Sequence, residues 1–133
     1  MMTITTGGKI HELKTTLGVA IKLESKFKMP LTEVFGKIES AEINELVSIL
    51  SVAADKVNDV GFKADVLDNW DYTDLQMSVQ ELLIKLMFSG TAEQIENKLS
   101  KFPVGEQQKN VFRELLGLPV VLTQSNLSEQ PTE

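Results

Sequence analysis

The spacing of apolar side chains between Leu17 and Leu116 constrains this chain more than any other feature. They return every three or four positions, the interval that gathers side chains onto one face of an α-helix. The longest such stripe is Ile43, Leu46, Val47, Leu50, Ala53, Ala54 and Val57. A helix that is apolar on one face is stable when that face is covered, so a succession of them must share a core. Helix breakers divide the succession. Leu17, Ala20, Ile21, Glu24 and Phe27, flanked by Val19 and Leu23, set a first helix that Pro30 stops, because the proline ring clashes with the carbonyl four residues back. Pro30 also suits the opening of a second helix, Leu31 to Ile38, with Leu31, Val34, Phe35 and Ile38 inward. Ser40 is placed to cap the third helix, which carries the long stripe to about Asn58.

Beyond Asn58 the pattern weakens. Val60, Phe62, Val66 and Leu67 permit a short helix, with a break at Asn69-Trp70-Asp71. Thr73 and Gln76 then have the spacing of a capping box, in which the hydroxyl takes the amide three residues on and the Gln side chain reaches back. The helix they open runs to about Phe88, with Leu75, Val79, Leu82, Leu83 and Leu86 inward, and Ser89-Gly90 closes it. Thr91 and Gln94 form a second box, opening a helix with Ala92, Ile95, Leu99 and Phe102 that Pro103 ends. A last helix, about Gly105 to Leu116, buries Val111, Phe112 and Leu115. Ahead of all of them, Thr3-Ile4-Thr5-Thr6 and Lys9 to Leu13 flank Gly7-Gly8, which reads as a β-hairpin. A lone hairpin is marginal in water and must pack on the helices. The fold class is therefore α+β and mostly helical: a short N-terminal β-hairpin, about five or six α-helices in a single domain over residues 1–117, and a flexible tail over residues 118–133. The stretch from Thr123 is almost wholly polar and cannot bury enough surface to offset its ordering entropy, so it reads as disordered.

Charge narrows the function. The 13 basic residues are outnumbered by 19 acidic ones and nowhere cluster, which argues against nucleic acid and against an anionic membrane surface. The chain has no cysteine, so disulfides and thiolate metal sites are excluded. Its first residues lack the apolar run of a signal peptide, and its most apolar stretch, Leu82 to Phe88, is far shorter than the roughly 20 residues that span a bilayer. His11, the one histidine, lacks the second histidine of a zinc-protease helix and reads as a surface residue on a strand. Asp65, Asp68, Asp71 and Asp74 recur every third residue, without the alternate ligands, central glycine and closing glutamate of a calcium loop, and read as a solvated acidic face. Gly7-Gly8 lacks the Gly-Lys-Ser/Thr of a phosphate loop, and no serine sits in a G-x-S-x-G setting. Catalytic, cofactor-binding and metal-binding residues are accordingly expected to be none, and the chain is expected to be no enzyme. What remains is protein binding. Leu118, Val120, Val121 and Leu122 form an apolar run before the polar tail, and Met77 and Met87 are adaptable side chains on the long helix; these six are the candidate partner-binding residues.

The order of the segments resembles a family. After the hairpin, Leu17-Gly18-Val19-Ala20-Ile21-Lys22-Leu23-Glu24 leads through Phe27-Lys28-Met29-Pro30 to Leu31-Thr32-Glu33-Val34-Phe35, and then to Glu45-Leu46-Val47-Ser48-Ile49-Leu50. This is similar to the tail assembly chaperones of siphophages and prophages of Gram-positive hosts, in which a leucine-glycine helix ending in leucine-glutamate precedes a leucine-x-x-valine/isoleucine-phenylalanine helix. Glu93, Ile95 and Leu99 also fit, and the similarity runs over residues 3 to 102 apart from the stretch 59 to 72. The resemblance implies a small, mostly helical α+β fold without cofactors. It implies a protein that acts in the host cell cytoplasm and is absent from the mature virion. The partner it implies is the tape measure protein, whose apolar helices it keeps soluble, with tail tube protein recruited by a longer frameshifted form; the chain could also bind further copies of itself. The alternatives are another small structural or completion protein of a phage, or a bacterial helical adaptor.

Overall fold

A computed structural model of the chain describes residues 2–88 and 90–120. The hairpin is β1 (Met2–Thr6) and β2 (Lys9–Leu13), and among the described residues seven α-helices follow: α1 (Leu17–Phe27), α2 (Leu31–Gly36), α3 (Ile43–Ala53), α4 (Val60–Asn69), α5 (Tyr72–Met87), α6 (Ala92–Ser100) and α7 (Glu106–Leu115). The fold is the expected α+β, mostly helical one. The helix count exceeds the expected five or six because the weakly patterned stretch after Asn58 forms α4. Contacts divide the chain into two compact units, Met1–Met87 and Phe88–Glu133, where the sequence pattern suggested one domain over residues 1–117. The expected disorder from Thr123 onward lies outside the described residues.

In the first unit the strands pair antiparallel, with Met2 opposite Leu13 and Thr6 opposite Lys9. Gly7 and Gly8 both take positive φ, 54° and 84°, the backbone that a two-residue hairpin turn demands. This register resolves the slipped alternation of β2. Met2, Ile4, Thr6, His11 and Leu13 share the inner face, while Ile10 points outward and is 71 % exposed. The hairpin is fastened to the helices by Leu13, which is fully buried, by Lys14 N–H donating to Ala53 O at 2.9 Å, and by the Trp70 indole N–H donating to Thr5 O at 3.1 Å.

The helices pack their aliphatic stripes into one cluster that includes Leu23, Leu46, Leu50, Val66, Val79, Leu82 and Leu83. Two stripes are rotated from the expected phase. On α1 the inward residues are Val19, Ala20 and Leu23, leaving Leu17 and Ile21 exposed. On α4 they are Phe62 and Val66, leaving Val60 and Leu67 exposed. Two caps also differ. Ser40 falls in a short 3-10 turn (Ile38–Ser40), and α3 is capped by Glu42, whose carboxylate accepts the Glu45 N–H while its own N–H donates to the Glu45 carboxylate at 3.0 Å. Helix α5 starts before Thr73, because Asp71 and Asp74 each accept the other's backbone N–H, at 3.2 and 2.8 Å. A carboxylate at a helix start is favoured by the helix dipole as well as by the hydrogen bond. The box at Thr91 and Gln94 is present as expected.

Helix α3 stops at Ala53, short of Val57, because Asp55 turns left-handed (φ 58°) and Lys56 N–H closes on Ser51 O at 2.9 Å. Helix α1 ends the same way, at Phe27, three residues before Pro30: Lys28 takes φ 57° and Met29 N–H closes on Glu24 O. An L-residue pays about 1–2 kcal/mol for that conformation, and glycine's larger unfolded-state entropy offsets about half of the relief. Lys28→Gly and Asp55→Gly are therefore each expected to stabilise the protein by about 0.5–1 kcal/mol, read as a higher urea midpoint at unchanged slope.

In the second unit α6 and α7 enclose Ile95, Leu99 and three aromatic rings. Phe88, Phe102 and Phe112 meet pairwise with centroids 5.3 to 5.8 Å apart. Val111, expected inward, is 45 % exposed, and Arg113 is buried in its stead. The guanidinium is satisfied by Glu96, through Nε at 2.9 Å and Nη2 at 3.0 Å, and by Glu106 and Asn110 through Nη1 at 3.0 and 2.7 Å. A planar fork of donors matches a carboxylate in this two-pronged way, where lysine would not. These hydrogen bonds hold Glu96 below its ordinary carboxylate range, against partial burial that pushes it up, and they raise Arg113 further. Glu96 thus binds its proton more weakly folded than unfolded. The stability it adds is present above the unfolded value and is lost as pH falls through the lower folded one. Its side chain is 39 % exposed, so the loss is expected to stay below about 1 kcal/mol. Urea midpoints followed down to about pH 3 should show this component in the wild type and not in Arg113→Met.

Candidate functional site

The residues that sequence singled out for chemistry are occupied with structure. His11 is not on the surface: it is 6 % exposed, because the hairpin register turns it inward. Its Nε2 lies 3.1 Å from Thr6 Oγ1 and 3.5 Å from Asp65 Oδ2, and Phe62 meets its ring edge-on at 4.9 Å. The cluster joins the hairpin to α4. The acidic series divides: Asp65 is half-buried against His11 and Lys9, Asp71 and Asp74 cap α5, and Asp68 is exposed. Among the described residues no group of three or more histidines and carboxylates is placed to hold a metal ion, and no helix is long and apolar enough to cross a membrane.

The candidate partner-binding residues fall into two sets. Met77 and Met87 lie on α5 in the first unit. Met77 is 63 % exposed, whereas Met87 packs against the core, and at 100° per residue the two stand about 80° apart around the helix. Leu118 and Val120 follow α7 in the second unit. Leu118 is half-buried and its N–H closes α7 on Arg113 O at 2.8 Å, with Gly117 left-handed before it; Val120 is 46 % exposed. Val121 and Leu122 lie outside the described residues.

Two apolar depressions open on the first unit. One is a cleft of about 200 Å³ lined by Phe27, Met29, Val34, Ile38, Ala41 and Ile49, with Lys37, Ser40 and Glu45 also in its wall. It lies where short α2 gives way to the 3-10 turn Ile38–Ser40 that leads into α3. Proline at position 30 offers no side-chain cap, so Glu24 on α1 takes the Leu31 N–H at 2.9 Å and pins the start of α2 to α1. The other is a groove of about 120 Å³ where α3, α4 and α5 meet. Val66 and Leu75 form its buried floor, and Ile43, Leu67, Trp70 and Tyr72 its walls. Ile43, Leu67 and Tyr72 are 48, 50 and 42 % exposed. The Trp70 ring is held in place by its bond to Thr5, and Gln76 reaches the Tyr72 hydroxyl at 3.2 Å.

No protein-family model, no curated protein and no solved structure matches this chain. The groove was not visible in the sequence. Ile43 and Leu67 belong to stripes that read as core, and Trp70 and Tyr72 lie in the segment with the weakest pattern. One signal was available: Val60, Phe62, Val66 and Leu67 span too wide an arc for the single face of a short helix, so some of them had to face water. What the two depressions can do is receive large apolar side chains from another molecule.

Proposed function

We propose that this protein is a tail assembly chaperone of a long-tailed bacteriophage or prophage. It binds the tape measure protein, keeps it soluble and helps recruit tail tube subunits. The observation that carries this reading is where the resembling segments lie. Leu17 to Glu24 is on α1, Leu31 to Phe35 on α2 and Glu45 to Leu50 on α3, and the wall of the 200 Å³ cleft is drawn from these helices and the segments between them. Phe27, Val34 and Ile49 line it with Met29, a side chain suited to partners of varied shape. Residues quoted for the resemblance thus help to line an open apolar cleft, which supports the reading. A net charge of −6 favours keeping a loaded complex in solution.

The mechanism is reversible capture. Amphipathic helices of the tape measure protein place apolar side chains in the cleft until tube subunits cover them, and no covalent step is needed. The test is co-expression with the tape measure protein encoded in the same genome. The soluble yield of that protein should rise and the two should co-purify, while this chain should be missing from purified particles by mass spectrometry. A tape measure protein that stays insoluble beside folded chaperone would refute the reading, as would the chain's presence in mature virions.

A further inference from the structure

The second depression, the groove of Ile43, Leu67, Trp70 and Tyr72, has a charge pattern that says what covers it. Asp71 is in its wall, Asp74 is hydrogen-bonded to Asp71, Asp68 follows Leu67, and Glu42 precedes Ile43. All four are exposed, and none is paired with a lysine or arginine among the described residues. The start of α5 contributes only about half a positive charge, which the two carboxylates of Asp71 and Asp74 exceed. The groove is therefore an apolar slot in a negative field, and it has room for one aliphatic side chain. Three exposed walls, two aliphatic and one aromatic, stand around a floor made by Val66 and Leu75.

We propose that this groove docks a cationic amphipathic helix. A leucine-type side chain of the partner inserts between Leu67, Ile43 and Tyr72, and lysines or arginines flanking it meet Asp68, Asp71, Asp74 and Glu42. This deepens the chaperone reading, on which it rests for the identity of the natural partner, by giving a second contact surface and the chemistry of the segment that fills it. Apolar insertion supplies most of the affinity, and the acidic rim selects against acidic helices and speeds encounter.

Trp70 is the chain's only tryptophan and stands in the groove wall, so the groove reports on itself. The full chain is titrated with two synthetic amphipathic helices, one of leucine and lysine and one of leucine and glutamate, and tryptophan emission is followed. The lysine helix should bind, move the emission to shorter wavelength and weaken as salt rises; the glutamate helix should not bind. Leu67→Asp should weaken the lysine helix at least about tenfold. The surface triple Asp68→Asn, Asp71→Asn, Asp74→Asn, which keeps a side-chain oxygen at the cap, should weaken it and flatten the salt dependence. Binding without a change in Trp70 emission, equal binding of both helices, or indifference to both variants would overturn the proposal. So would a dimer of the free chain that Leu67→Asp converts to monomer, since a second copy would then be the occupant. The two readings separate with the tape measure protein itself. Its capture equally by wild type and Leu67→Asp overturns the groove and spares the chaperone, whereas lysine-helix binding at Trp70 with no capture of the tape measure protein does the reverse.

Discussion

Leu13→Ala is expected to cost about 2–5 kcal/mol and to release the hairpin from the helices. Leu13 is fully buried at the end of β2, opposite Met2, and with Ile4 these residues are the apolar contribution of the hairpin to the core. A two-stranded hairpin has little stability of its own, so the groups that fasten it decide whether it persists. The loss combines the transfer energy of the removed atoms with the cavity they leave. The effect should reach beyond residue 13. The Lys14–Ala53 bond that follows Leu13 closes the end of α3, and the Thr5 carbonyl holds the Trp70 indole. Hydrogen exchange in Leu13→Ala should accelerate first at the amides of β1 and β2. Tryptophan emission should shift toward that of a solvated indole while the helical circular dichroism is largely kept. Loss of all protection in one step would mean instead that hairpin and helices unfold together.

The second large effect is in the second unit. Phe112 is fully buried and touches both other rings of the Phe88, Phe102, Phe112 cluster. Among its described residues this unit has two helices and four buried large apolar side chains, Phe88, Ile95, Leu99 and Phe112, so it has little to spare, and removal of a buried phenylalanine costs about 3–5 kcal/mol. Phe112→Ala should therefore melt α6 and α7 at room temperature. The Arg113 clamp cannot compensate, because an ion pair whose carboxylates are about 40 % exposed contributes little on its own. The amides of Ile95 to Leu99 and of Val111 to Leu115 should exchange as in an unfolded peptide. Phe112→Leu, which keeps most of the volume, should recover much of the protection.

The architecture was legible where one local interaction decides it. Gly7-Gly8 marked the hairpin because both positions need positive φ, and Thr91 with Gln94 marked the start of α6 because the box is completed within four residues. Leu75, Val79, Leu82, Leu83 and Leu86 were correctly inward because a 16-residue helix gives its period time to show. At two helix starts, one of two local caps prevailed. Glu42 displaced Ser40 as a cap and Asp71 displaced Thr73, each by a reciprocal bond with the residue three ahead. The phase of α1 and α4 was set by which face meets the core, and their short stripes tolerate either. Burial of His11 and Arg113 went against residue type, since each is admitted by partners distant in sequence, Asp65 for one and Glu96 for the other. Neither depression could be read beforehand, because each is made where several elements meet and none of those elements carries it alone.

We propose that this chain holds amphipathic helices of the tape measure protein in the cleft of α1, α2 and α3. Sedimentation velocity of the purified chain mixed with a purified, tape-measure-derived helical fragment tests it most directly. A faster-sedimenting complex should form reversibly and weaken when Ile49 or Val34 in the cleft is replaced by a smaller residue that leaves the fold intact. Two species that sediment independently at every ratio, with both proteins folded, would contradict it.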